Sequence, residues 1–161
     1  MDSGYDMLLT ANNHSYDTQM TGITRTLEKV RGAGLKTLGS RMNEEEKRYD
    51  IVEVNGIRIG MICYTYSSGL SEDGRPRLNG NSPMEKPALI NWFYNRNPEK
   101  MYGEVKQILE DMRREGVDVT MMFLHWGEEY QLTQNYLQNA QSQALCDLGI
   151  DVLVGCLLYT S

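Results

Sequence analysis

Val117-Asp118-Val119-Thr120-Met121-Met122-Phe123-Leu124-His125-Trp126-Gly127-Glu128-Glu129-Tyr130 is the stretch that decides the fold. Its first eight residues are almost continuously apolar, the pattern of a strand covered on both faces rather than one alternating between core and water. Such a strand needs a layer on each side, and the flanking segments offer helices. Upstream, residues 98–115 carry Tyr102, Val105, Ile108, Leu109 and Met112 at helical spacing, with proline at the start and Gly116 as the stop. Downstream, residues 133–148 put Leu137, Ala140, Ala144, Leu145 and Leu148 on one helical face. Gly149 ends that run, and residues 150–154 begin another strand.

Further from this centre the alternation continues. Tyr49–Val54 and Ile57–Tyr66 are β-rich and joined by Asn55-Gly56, which predicts a hairpin. Residues 67–86 are rich in Ser, Gly, Asn and Pro without periodicity and read as an extended surface loop, a length usually reserved for function or mobility. Residues 88–94 offer one more short strand. At the amino end, residues 5–10 form a strand that runs into the polar turn Ala11-Asn12-Asn13-His14. Asp17 or Thr18 then caps a helix whose face is Met20, Ile23, Leu27 and Val30. Gly32 and Gly34 close it before a strand over 35–38. The expectation is an α/β domain, helices packed on a mixed sheet with one hairpin inserted.

Composition narrows the function classes. The chain has 161 residues, 40% hydrophobic and 24% charged, enough for one domain with a core. A net charge of −6 and a pI near 4.9 argue against nucleic-acid binding, which rests on clustered Lys and Arg. The mixed run over 43–48 reads as a solvated turn. Cys63, Cys146 and Cys156 are widely spaced, so neither a zinc knuckle nor a disulfide framework is indicated. Two of these thiols are expected in the core. The ten methionines read as core filler. The first residues lack a basic and apolar leader, and no apolar run has the length of a membrane span.

Both histidines follow buried strands. Ligands in open α/β sheets bind at the carboxyl ends of strands, so His14 and His125 are placed to converge although 111 residues separate them. Imidazoles there suit metal ligation or proton transfer near neutral pH. Asn13 could add an amide oxygen and Asp17 a carboxylate. Trp126 is expected to pack beside the site or to offer a platform for substrate.

These stretches also carry a resemblance. Residues 5–17, with Ala11-Asn12-Asn13-His14 and Asp17 three residues on, resemble a block of the CapA family of capsule (poly-γ-glutamate) synthesis proteins. Val54-Asn55-Gly56-Ile57 with Tyr64-Thr65-Tyr66 is similar to the family's next segment. His125-Trp126-Gly127-Glu128-Glu129-Tyr130 resembles its His-Trp-Gly-x-Glu-Tyr block, and residues 143–155 its following helix and strand. The family is similar to calcineurin-like metallophosphatases. The resemblance therefore implies a metallo-dependent phosphatase-like layered sandwich, with Asn13 and His125 as metal ligands and His14 and Asp17 as the catalytic pair. Trp126, Glu128 and Tyr130 become substrate contacts. It implies divalent ions (Mn, Fe, Zn or Mg, by the oxygen and imidazole donors) and an anionic polymer or phosphoester substrate. Capsule-synthesis membrane proteins would be partners, and the setting the cell envelope.

Departures qualify what the resemblance implies. The family's early acidic block and its Asn-and-Glu segment have no counterpart, and Gly155 is followed by 156–161 instead of a Gly-His-x-Pro-His block. Residues 1–155 are therefore expected to be a partial domain, incomplete at both ends, and 156–161 a non-native tail. Weak metal binding and little catalysis follow. A non-catalytic envelope module binding polymer or partners, and a metal-dependent hydrolase of another substrate, stand as alternatives.

Overall fold

The computed structural model describes residues 4–127, 131 and 133–156. In chain order the elements are β1 (Met7–Leu9), α1 (Gln19–Gly32), β2 (Lys36–Leu38), β3 (Tyr49–Val54), β4 (Ile57–Tyr66), β5 (Gly69–Leu70), β6 (Pro76–Arg77), β7 (Trp92–Phe93), α2 (Glu99–Arg114), β8 (Val119–His125), α3 (Tyr136–Leu148) and β9 (Val152–Cys156). The main sheet runs β3-β4-β8-β9, with β3 antiparallel to β4 and the others parallel; β7 pairs alongside the end of β4. A second, two-stranded ladder joins β1 to β2 in parallel. The fold is α/β with a mixed sheet, as the alternating pattern predicts.

Side-chain alternation along the central strands makes two cores. Ile62 and Tyr64 of β4, with Met122 and Leu124 of β8, pack against Val105, Ile108, Leu109 and Met112 of α2 and Leu145 of α3. The intervening Met61, Cys63 and Phe123 face the other way, onto Ile23 and Leu27 of α1 and Leu38 of β2. The apolar run over 117–124 is thus explained: successive residues serve opposite layers. Each fully buried Leu or Ile contributes about 1.5–3 kcal/mol, so neither layer is dispensable. Gly60 permits the close approach of α2, since a Cβ there would stand 2.7 Å from Met112 Sδ.

Several local expectations need correcting. Residues 67–86 are more than a surface loop. They hold the small β5–β6 hairpin and bury Leu78 and Met84 completely against the α1 side. The segment expected as a strand over 88–94 is a single 3₁₀ turn, Pro87–Leu89, followed by the two-residue β7. Helix α3 begins at Tyr136, not near 133, because Asn135 and Gln138 form a reciprocal capping box. Leu137 and Ala140 are exposed, and Gln141 takes the buried position by donating from Nε2 to the Asn95 carbonyl (2.9 Å). Thr18 occupies the N-cap of α1 without a side-chain capping bond, and Asp17 turns to His14 instead. Of the thiols, Cys63 is buried and Cys146 exposed.

Candidate functional site

The turn after β1 is held by short-range hydrogen bonds that leave Asn13 and His14 little freedom. Thr10 N–H donates to the Leu38 carbonyl (2.7 Å), and Thr10 Oγ1 accepts from Ser40 N–H (3.0 Å) and Ser40 Oγ (2.7 Å). Ser15 Oγ donates to the Thr10 carbonyl (2.6 Å) and accepts from Asn12 N–H (2.8 Å); Asn12 Oδ1 accepts from His14 N–H (2.9 Å). Gly39, at φ +110°, lets the chain after β2 pass this turn. A Cβ there would lie 2.6 Å from Ala11 Cβ. Neighbouring side chains in the turn then diverge.

Asn13 points inward and is only 5% exposed. Its Oδ1 accepts a 2.9 Å hydrogen bond from Nε2 of His125, the last residue of β8. The Tyr66 ring lies nearly parallel to the His125 imidazole (12° between planes, centroids 6.4 Å apart). Burial, then the positive charge of His14, push the His125 pKa below the usual histidine range. The ring is therefore neutral near pH 7, the form that ligates metal.

His14 points outward. Its Nδ1 donates to Asp17 Oδ2 (2.7 Å), and the other carboxylate oxygen accepts from Asn81 Nδ2 (2.8 Å) and Asn79 Nδ2 (3.3 Å). These bonds hold the Asp17 carboxyl below its ordinary range, the His14 bond contributing most. Thr10, Asn12, His14, Ser15 and Ser40 share a cavity of about 280 Å³. A roomier cavity, about 570 Å³, lies elsewhere, between residues 41–49 and α2.

The structure thus brings together Asn13 with His125, and His14 with Asp17, at the carboxyl ends of β1 and β8. Trp126 is 4% exposed and packs edge-on against Phe93 (6.3 Å), so its ring belongs to the core in this arrangement. Glu128 and Tyr130 lie outside the described residues. Sequence reasoning missed Asn79, Asn81 and Tyr66. The only signal for the first two was the long Asn- and Gly-rich segment that carries them.

As a donor set for a divalent ion, Asn13 Oδ1 and His125 Nε2 would fit two adjacent positions once the ring carries its proton on Nδ1 instead of Nε2. Ligand atoms at right angles on an ion about 2.1 Å away stand about 3.0 Å apart. Oxygen with imidazole suits Mn, Fe, Zn or Mg. Among the described residues no group of three or more His, Cys, Asp or Glu side chains could hold an ion. The pair alone would supply two donors.

Comparison with known proteins covers nearly the whole chain. The sequence model of the family described as bacterial capsule synthesis protein PGA_cap matches residues 1–157. The PGA biosynthesis protein CapA of Bacillus subtilis (strain 168) is 26% identical over 156 residues, covering 96% of this chain and 37% of that protein. The capsule biosynthesis protein CapA of Bacillus anthracis is 25% identical over 157 residues, covering 96% and 34%. The chain spans little more than a third of the length of these relatives.

Proposed function

We propose a function from one premise: this chain belongs to the bacterial capsule synthesis family PGA_cap. The reading is a metallophosphatase-like site serving capsule synthesis at the cell envelope. Its substrate is a phosphoester or anionic polymer, and its partners are membrane proteins of the same process. No helix among the described residues is long and apolar enough to cross a membrane. The observation that carries the proposal is the 2.9 Å approach of Asn13 Oδ1 and His125 Nε2 across 112 residues of sequence.

Asn13 and His125 would hold one edge of a divalent ion, whose chemistry when bound is to polarise a phosphoryl or carbonyl oxygen and acidify water. The chain's own residues do the rest. Asp17 orients His14 by accepting from Nδ1, which leaves Nε2 of this exposed ring to give or take a proton at the substrate. Burial keeps His125 neutral, and Tyr66 fixes the plane of its ring. Binding without turnover is a second reading, favoured by the lack of a carboxylate cluster among the described residues.

Manganese(II) titration followed by electron paramagnetic resonance tests the site. Saturable binding that weakens at least about tenfold in both Asn13→Ala and His125→Ala is expected. Equal binding by the parent and both variants would sink the metal assignment. Hydrolysis of an aryl phosphate by the manganese-loaded protein, lost in His14→Ala, favours the hydrolase; binding without hydrolysis favours the second reading.

A further inference from the structure

Among the described residues Arg41 is the one charged side chain that is buried. It is 4% exposed, and its Nε–H is buried without an acceptor. Its one side-chain hydrogen bond is long, 3.5 Å from Nη1 to Asn91 Oδ1, and that oxygen also accepts from Arg48 Nη1 (3.3 Å). Asn91 has nothing more to give, because its Nδ2 donates to the carbonyls of Arg48 and Cys63. Among the described residues no bond is made to Arg41 Nη2. The edge formed by Nε and Nη2 is the one that takes a two-oxygen anion in parallel bonds.

The neighbouring cations are all matched. Arg31 pairs with Glu46, Lys47 with Glu115, Lys36 with Asp50, and Arg48 with Glu104. Glu104 is further engaged by Tyr64 and Lys100, and Glu46 is held by Arg31 through both oxygens. Glu44 and Glu104 act on Arg41 only through space, and desolvation dominates its environment. Burying an arginine without a partner carboxylate is costly. Arg41 also lines two cavities, one of about 280 Å³ shared with Ser40, Arg48 and Asn91 and one of about 570 Å³ shared with Gln107 of α2.

We infer that Arg41 is the recognition element of a second site, one that binds a singly charged oxyanion, either a carboxylate or a phosphodiester group, on its Nε–Nη2 edge. One unmatched positive charge calls for one negative charge. Glu44 and Glu104, which act on Arg41 through space, disfavour a dianion more than a monoanion. The site is separate from the Asn13–His125 pair and needs no divalent ion, so its failure and that of the metal site are distinguishable.

The test is an ¹⁵N-resolved NMR titration of the arginine Nε–H groups at fixed ionic strength, with acetate, dimethyl phosphate and inorganic phosphate as probes. The Arg41 Nε–H should move downfield and saturate with acetate or dimethyl phosphate. Whichever saturates first names the source. In Arg41→Lys, which has no Nε–H to follow, the affinity read from the anion-dependent rise in Tm should fall at least about tenfold, since lysine has no planar fork. Thermal unfolding of Arg41→Met gives a second readout: this variant should lose the anion-dependent rise in Tm that the parent shows. No saturable shift with either monoanion, stronger binding of inorganic phosphate, or an unchanged anion response in both variants would overturn the assignment.

Discussion

Asn13 and His14 are neighbours in one turn, yet they belong to two different physical regimes. The Asn13–His125 contact joins the ends of strands 112 residues apart, is part-buried, and stands on the packing of both sheet layers. The His14–Asp17 contact closes within four residues, is open to water, and is propped by Asn79 and Asn81 from the 67–86 segment. A buried polar contact is expensive to break because the surviving partner has no water to turn to. An exposed one is cheap to break but easy to tune. A metal-holding pair belongs in the first setting and a proton-transferring group in the second.

The sharpest way to break this contrast is stability. Asn13→Ala leaves His125 Nε2–H without its acceptor in a half-buried site and should cost about 1–3 kcal/mol in urea unfolding. His14→Ala should stay within about 0.5 kcal/mol, as exposed pairs usually do. Equal losses would mean that the two halves of the turn are not independent.

Next in size is the response to pH. The folded-state pKa of His125 is depressed, so the unfolded chain takes up a proton that the folded one refuses as pH falls through about 6.5. The stability this residue contributes is present above that pH and is lost between 6.5 and its lower folded value. Urea midpoints should therefore fall from pH 7.5 to pH 5.5, less steeply in His125→Gln. In His14→Ala the His125 NMR titration should move back up, because the repelling charge is gone. An unmoved titration would show that burial alone sets it.

The two regimes also differ in how far the sequence reveals them. The strand over 117–124, the Asn55-Gly56 hairpin and α2 were readable because burial follows a period: both faces for β8, one face for the helix. His14 with Asp17 was named only through the resemblance, since local reading offered Asp17 as a helix cap or as a carboxylate near the site. Asn13 with His125 could be suspected, because both follow strands, but strand order is not written in local pattern. The start of α3 was misplaced because the Asn135–Gln138 box outweighs the apolar positions at Leu137 and Ala140. The 67–86 segment hid its contribution. Leu78 and Met84 anchor it without periodicity, so nothing local announced that Asn79 and Asn81 would reach Asp17.

That segment supplies the smallest effect and the finest test of the contrast. Asp17 Oδ1 accepts from Asn81 at 2.8 Å and from Asn79 at 3.3 Å, and both bonds favour the charged carboxylate. Removing either should raise the Asp17 pKa toward its ordinary value, Asn79→Ala at least as much as Asn81→Ala, because Asn79 also lies 3.1 Å from His14 Nδ1. The His14 bond contributes most and should persist in both variants, so the rise stays partial. ¹³C-detected carboxyl titration reads the shift directly. The manganese affinity assigned to Asn13 and His125 should not change, because neither asparagine touches that pair. If Asn81→Ala altered metal binding as much as it altered Asp17, the exposed and buried halves of the turn would be one coupled site. The division between holding an ion and moving a proton would then fail.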